Sequence, residues 1–345
     1  MKQWVYTIYI IVFWVGWVVN SALAAQEAPV PKISGYMFGD YYWIVTNHRS
    51  DLEGQNGFWF RRIYFTVDES FNETWAIRFR LELNSPGDFR SGAANLTPYV
   101  KDAYLRWKGG RHEVYFGISP TPTWEVVEAL WGYRSVEKTP LDLQRMGTAR
   151  DFGVAARGSL DEGRKFRYHL MIGNGLGTGG ADVDKGKKGF FSLGFYPDDR
   201  WVVEVYGDWE DRPGSTDRWT WQAFLAYRTP RFRAGLQYAH QTRQGSPNTH
   251  LNVGSVFLVV QPTSAVALLA RYDRMFDPNP EGNRIAYIPL DPTAKSNLIV
   301  AGVDFRLHAR VHLIPNIEYV WYDTPPAGSR PKSDLFLRGT VFFEF

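Results

Sequence analysis

The sequence predicts an all-β fold, a transmembrane antiparallel β-barrel of about 16 strands, and three observations carry that reading. First, apolar residues recur at every second position. Trp75, Ile77, Phe79, Leu81 and Leu83 alternate with Ala76, Arg78, Arg80, Glu82 and Asn84, the period of a strand with one apolar and one polar face. Second, mean hydropathy is −0.32, yet 16% of residues are aromatic, with 14 Trp, 19 Tyr and 23 Phe. Strands half facing water, with aromatic girdles at both interfaces, reconcile the two. Third, tight turns and long connections alternate along the chain, as antiparallel neighbours require.

Residues 1–25 read as a cleavable signal peptide. Lys2 is the only charge before Glu27, Trp4 to Val19 is almost wholly apolar, and Ala22-Leu23-Ala24 offers a cleavage site. That apolar run is shorter than the ~20 residues a helix needs to span a bilayer; an uncleaved anchor helix is the alternative. Residues 26–345 then form one barrel domain, because neither half closes alone.

From Ile33 onward, strand-like segments follow one another, with clean alternation again in 201–210, 219–227 and 299–307. Arg61 and Arg62 are adjacent, so one of them breaks the phase of its segment. Pro315 removes a ladder donor and suggests a bulge or a near-end position. Short connections fall at 68–72, 109–110, 161–164, 197–200, 229–230, 262–263 and 308–310. Long ones fall at 48–56, 85–96, 120–149, 174–187, 211–216, 244–247, 274–295 and 324–332. Both ends of the barrel chain then lie on the side of the turns. A ring this wide encloses an aqueous channel rather than a filled core.

The third long connection has structure of its own. Pro120-Thr121-Pro122-Thr123 is stiff, Thr123 is placed as a helix cap, and Trp124 to Trp131 reads as a short helix. Val126, Val127, Leu130 and Trp131 give it an apolar side, and Glu125 and Glu128 a polar one. A loop this long is usually functional. Folded into the lumen it narrows the pore; an external cap or a subunit contact is the alternative. The candidate constriction and lumen residues are Arg62, Arg78, Arg80, Arg106, Glu82, Asp102, Glu125, Glu128 and Arg134. Along the predicted inward faces, Arg157, Arg167, Arg233, Arg271, Arg306 and Arg338 add to the bases. Glu113, Asp151, Glu204, Asp208, Asp273, Asp304, Glu318 and Asp334 add to the acids. Apart from the loop residues Arg134, Glu125 and Glu128, ten bases stand against ten acids, which gives no net ion selectivity, and local pairing between neighbouring strands is expected for many of them.

Composition excludes much else. There is no Cys, so neither a disulfide framework nor a thiolate metal site exists. The formal charge of +3 falls by one when Lys2 leaves with the signal, which makes no case for nucleic acid. The seven His are scattered and no G-x-S-x-G occurs, so no catalytic residues are assigned and the chain reads as a non-enzyme. Asp273, Asp277, Asn279 and Glu281 could hold Ca²⁺, but ordinary loop chemistry accounts for them. The glycine-rich run 173–180 lacks the Lys-Ser/Thr end of a phosphate-binding loop. No cofactor and no metal are expected.

The last segment bears on identity. Leu335, Leu337, Val341, Phe343 and Phe345 are apolar at every second position, with Gly339 between them. This resembles the closing strand of bacterial outer-membrane barrels, which the barrel-assembly machinery recognises by its terminal Phe. On that resemblance Phe345, Phe343 and Val341 form the membrane-assembly signal; a soluble β-sandwich could also end on Phe. Gly39-Asp40-Tyr41-Tyr42, Phe60-Arg61-Arg62-Ile63-Tyr64-Phe65, Lys101-Asp102-Ala103-Tyr104 and Arg150-Asp151-Phe152-Gly153 resemble the phosphate-selective porin O/P family and its uncharacterised porin-like relatives. The resemblance is diffuse and covers most of the mature chain. It implies the outer membrane of a Gram-negative bacterium, contact with lipid and lipopolysaccharide, and a homotrimer. It also implies a water-filled channel for passive diffusion of ions and small hydrophilic solutes. The family name implies anion selectivity, which the balanced charges do not. Two other readings stand beside it: a substrate-specific channel for phosphate, another anion or an oligosaccharide, and a non-conducting barrel acting as adhesin or structural anchor.

Overall fold

The computed structural model describes residues 30–90, 95–179 and 183–345; the signal segment 1–25 lies outside them. Alternation produces sixteen strands. They are β1 (Lys32–Thr46), β2 (Asn56–Ser70), β3 (Trp75–Asn84), β4 (Thr97–Gly109), β5 (His112–Pro120), β6 (Arg150–Ser159), β7 (Phe166–Gly173) and β8 (Lys188–Phe195). The second half follows as β9 (Trp201–Glu210), β10 (Arg218–Thr229), β11 (Phe232–Arg243), β12 (Thr249–Val260), β13 (Val266–Met275), β14 (Ser296–His308), β15 (Val311–Tyr322) and β16 (Asp334–Glu344). Each pairs antiparallel with its chain neighbours, and β16 pairs back onto β1, so the sheet closes without an edge. Seven short turns gather at one end, with the start of β1 and the end of β16, and eight longer loops, L1 to L8, at the other.

In β9, Trp201, Val203, Val205 and Trp209 point outward and are exposed, while Val202, Glu204, Tyr206 and Asp208 point inward and are buried. The ladders shift register at four places, and two of these bulges bear on the pore wall. Arg62 faces Phe38 of β1 and Phe60 faces Gly39, leaving Arg61 as the extra residue. Arg80 faces Asp102 and Leu81 faces Val100, leaving Lys101 as the extra residue. A bulge resets the side-chain phase, so Arg61 and Arg62 both reach inside, as do Lys101 and Asp102. Pro315, by contrast, sits inside β15 without a bulge: it faces Gly339 in an unbroken register with β16.

Loop L3 (121–149) carries α1 (Glu125–Trp131) and α2 (Pro140–Leu143). Thr123 does not cap α1. The helix starts after Trp124 without a side-chain cap, and the Thr123 hydroxyl instead meets Thr121 at 3.0 Å and accepts from Tyr206 at 3.1 Å. Gly132 ends α1 at φ 71°, and its N–H returns to the Glu128 carbonyl, a left-handed stop that glycine makes without a Cβ penalty.

The apolar side of L3 does not face water. Val127, Leu130, Trp131, Val136 and Leu143 pack with Val202, Phe224, Phe257, Leu269 and Val300 from the inward faces of β9 to β14. Loop L7 (276–295) adds Ile285, Ile288 and Leu290 to the same cluster. One half of the barrel therefore holds an apolar core, contrary to the expectation of an unfilled ring. Burial of these side chains, at ~25 cal/mol per Å² of apolar surface, holds both loops inside.

Candidate functional site

The inward face of β2 to β6 carries a row of charged side chains. There, bases stand in front of acids. Arg62 Nε lies 2.6 Å from Glu82 Oε1, and Lys101 Nζ lies 3.0 Å from Glu82 Oε2. Arg80 Nη1 lies 3.4 Å from Asp102 Oδ2, and Arg150 Nε pairs with the other Asp102 oxygen. Side-chain exposure shows the order: 1% for Glu82 and 0% for Asp102, against 11% for Arg62, 15% for Arg80, 16% for Lys101 and 17% for Arg150. The carboxylates neutralise the wall from behind, while guanidinium and ammonium groups meet the solvent.

L3 presents the opposite wall. Arg134 bridges Glu128 at 3.3 Å and Asp142 at 3.1 Å. A cavity of about 320 Å³ toward the loop end is lined by Arg62, Arg80, Lys101, Tyr99, Glu128 and Arg134 among others. A second, of about 470 Å³, lies toward the turn end. The two share Tyr36, Trp124, Glu128, Arg134, Ala149 and Arg150, which form the ring of side chains between them. A third cavity, of about 560 Å³, shares Glu125 and Ala129 with the second. It opens beside the turns, lined by Lys108, Arg111, Arg157, Arg164, Arg167 and Arg228 against Glu113 and Glu125. The three lie along one side of the barrel, each sharing lining residues with the next.

The residues singled out from sequence separate into two groups. Arg62, Arg80, Glu82, Glu128 and Arg134 line the upper cavity, and Asp102 lies directly behind it. Arg78, paired with Asp68 at 2.7 Å, and Arg106, 3.6 Å from Glu113, lie toward the turns. Glu125 faces down, 3.2 Å from both Arg157 and His169. Tyr36, Trp124, Lys101, Asp142 and Arg150 were not singled out. Arg150 directly follows the long loop, a position that could have marked it; Lys101 turns inward only through its bulge. Among the described residues no three His, Asp or Glu side chains gather as a metal site. In the loop considered for Ca²⁺, Asp277 is bound to Asn252 and Glu281 to Arg145.

No family profile and no curated protein matches the chain. Solved structures do. The anion-selective porin from Comamonas acidovorans superposes with a TM-score of 0.65 at 13% identity, over 92% of this chain and 99% of that one. Salmonella typhi OmpF, in complex with daunomycin, gives 0.66 at 13% identity, over 92% and 98%. OmpT of Vibrio cholerae, described as outer-membrane expressed, gives 0.62 at 13% identity, over 93% and 99%. The chain is similar to them in fold: a closed, porin-like barrel of sixteen antiparallel strands.

Proposed function

We propose that the chain is an outer-membrane porin of a Gram-negative bacterium, a passive channel for ions and small hydrophilic solutes. The observation that carries this reading is the line of polar cavities along one inner wall of a barrel whose outward residues are apolar and aromatic. Solutes pass between the bases of β2 to β6 and the carboxylates of L3. Size exclusion comes from the ring at Trp124, Arg134 and Arg150; a field between the two walls adds an electrostatic filter. Arg62, Arg80, Glu82, Asp102, Glu128 and Arg134 act at or behind that ring; Arg78, Arg106 and Glu125 act below it. No covalent chemistry, cofactor or metal enters the reading.

Assembly as a homotrimer, export by the signal at 1–25 and recognition of Val341, Phe343 and Phe345 by the barrel-assembly machinery complete the proposal. Contact with lipid and lipopolysaccharide follows from the outward belt. In support of the assembly signal, Phe345 exchanges backbone hydrogen bonds with Gly35 of β1 (3.1 and 2.9 Å), so the last residue takes part in closing the ring.

One observation favours a second, narrower reading, a channel preferring anions, as kinship with phosphate-selective porins would imply. The balanced count of charges hides their depth on β2 to β6, where bases face the path and acids lie behind them. Single-channel current of refolded protein in a planar bilayer across a KCl gradient tests both. Steady conductance steps support the channel, and a reversal potential on the anion side supports the narrower reading. A verified folded barrel that passes no current would overturn the proposal in favour of an adhesin or anchor.

A further inference from the structure

We propose that Tyr287, carried by L7, fixes the position of Arg62 in the pore and thereby sets its ion preference, so that L7 is a second pore-forming loop beside L3. The inference rests on the channel reading above. L7 springs from β13 and β14, yet its tip reaches β2, passing over β15, β16 and β1 in the ring. Tyr287 is 1% exposed. Its hydroxyl oxygen accepts from Arg62 Nη1 at 3.0 Å. Its hydroxyl proton faces the carbonyls of Ser85 at 2.7 Å and Arg61 at 3.1 Å. The ring lies 4.9 Å from Arg61 Cζ, 5.5 Å from Arg62 Cζ and 5.6 Å from Lys138 Nζ, within the range of cation–π attraction.

The backbone is held as firmly. Tyr287 N–H donates to Gly87 of L2 (85–96) at 2.7 Å, and its carbonyl accepts from Arg338 at 2.5 Å. Its φ of 75° lies in the left-handed region, which a bulky side chain adopts only when its surroundings impose it. Gly87 completes the seat. It too has a positive φ, and a Cβ there would lie 2.7 Å from the Tyr287 ring. Loops L2, L3 and L7 and strand β2 thus converge on one phenol.

The target of this convergence faces the solute path. Arg62 is held by Glu82 at Nε and, at Nη1, by Tyr287 at 3.0 Å and by the Arg61 carbonyl at 2.6 Å, and it lines the upper cavity. Without the phenol hydroxyl, Nη1 keeps its bond to the Arg61 carbonyl but loses its tie to L7, and the guanidinium gains freedom to lean toward the cavity. A charge moved toward the path changes selectivity more than it changes pore size.

Tyr287→Phe keeps the ring and its cation contacts but removes the hydroxyl. The expected result is an unchanged heat-modifiable barrel with a roughly twofold shift of permeability ratio toward anions. In an Arg62→Gln background the same substitution should shift nothing, a coupling that loose loop packing would not produce. An unchanged ratio, or an equal shift in both backgrounds, overturns the inference while the wild-type conductance leaves the channel reading standing. A wild-type barrel without current takes both down. Should Tyr287→Phe fail to refold, Gly87→Ala displaces the ring while keeping the hydroxyl. It is expected to give the same shift, again only when Arg62 is present; no shift overturns the inference.

Discussion

Arg61 and Glu137 form a buried ion pair, Nη2 to Oε2 at 3.1 Å, that ties L3 to the barrel wall. The same guanidinium donates to the Val136 carbonyl at 2.6 Å and lies 3.6 Å from Asp40. Both partners are almost completely enclosed, with exposures of 1% and 0%. Removing Glu137 leaves Arg61 only the more distant Asp40, which it shares with Arg338, so the cost is expected below the about 3–5 kcal/mol of a fully uncompensated buried charge. Glu137→Gln is therefore expected to lower the denaturant midpoint and to add noise to the open-channel current as L3 loosens. An unmoved midpoint would show that the pair does not hold the loop.

Glu128 and Arg150 stand on opposite sides of the ring between the two upper cavities. Neutralising them should move selectivity in opposite directions. Glu128→Gln shifts the reversal potential toward anions, and Arg150→Gln, which removes a base in front of Asp102, shifts it toward cations. Shifts of the same sign in both variants would contradict the two-walled path.

Trp131 fills the occupied half of the barrel, with its ring 5.5 Å from Phe257, 5.7 Å from Tyr133 and 5.0 Å below Arg271. Trp131→Ala is expected to cost about 3–5 kcal/mol of stability. Part of the vacated volume should join the water-filled path, so unitary conductance rises. A lower or unchanged conductance in the folded variant would mean that the apolar half is sealed independently of this side chain.

Glu281 of L7 is held by Arg145 of L3 at 2.9 Å and by Arg243 at 3.3 Å. Partial burial pushes its carboxyl up, but Arg243 and Arg145 outweigh it and hold it below the usual carboxylate range. A depressed group stabilises fully above its unfolded value, about 4.3 for Glu, and that contribution is lost as pH falls through the folded value. Amide exchange in 276–295, expressed relative to the intrinsic rate at each pH, should accordingly accelerate on acidification in the wild type. In Glu281→Gln it should be fast already at neutral pH and change little. Equal pH profiles for the two proteins would remove Glu281 as the tether.

Strand number, connectivity and the alternation of turns with loops were legible because each rests on a local period. The clean run from Trp75 to Leu83 became β3 as read. The two bulges were not legible, since a period of two carries phase but no marker for an inserted residue. Arg61 beside Arg62 signalled a break without saying that both would turn inward, and Lys101 beside Asp102 repeated the pattern unremarked. The occupied half had left a trace as well. Val202, Phe224, Phe257 and Val300 are apolar on faces that should meet water, and the run from Ile285 to Leu290 is apolar inside a polar loop. Each half of that complementarity is unremarkable alone. Only the closed ring brings positions so far apart in the chain into register.

The core inside the barrel also imposes an order on how the molecule is made. Tyr133 donates to Asp304 at 3.1 Å, 171 positions further along the chain, and Trp131 meets Phe257. The surface that receives L3 does not exist until β9 to β14 are in place, and contacts of such sequence separation are slow to form. Seating of the loop is therefore a late event. A ring that has just closed is still wide open, and it acquires its sieve only when its third long loop finds walls built from the second half of the chain.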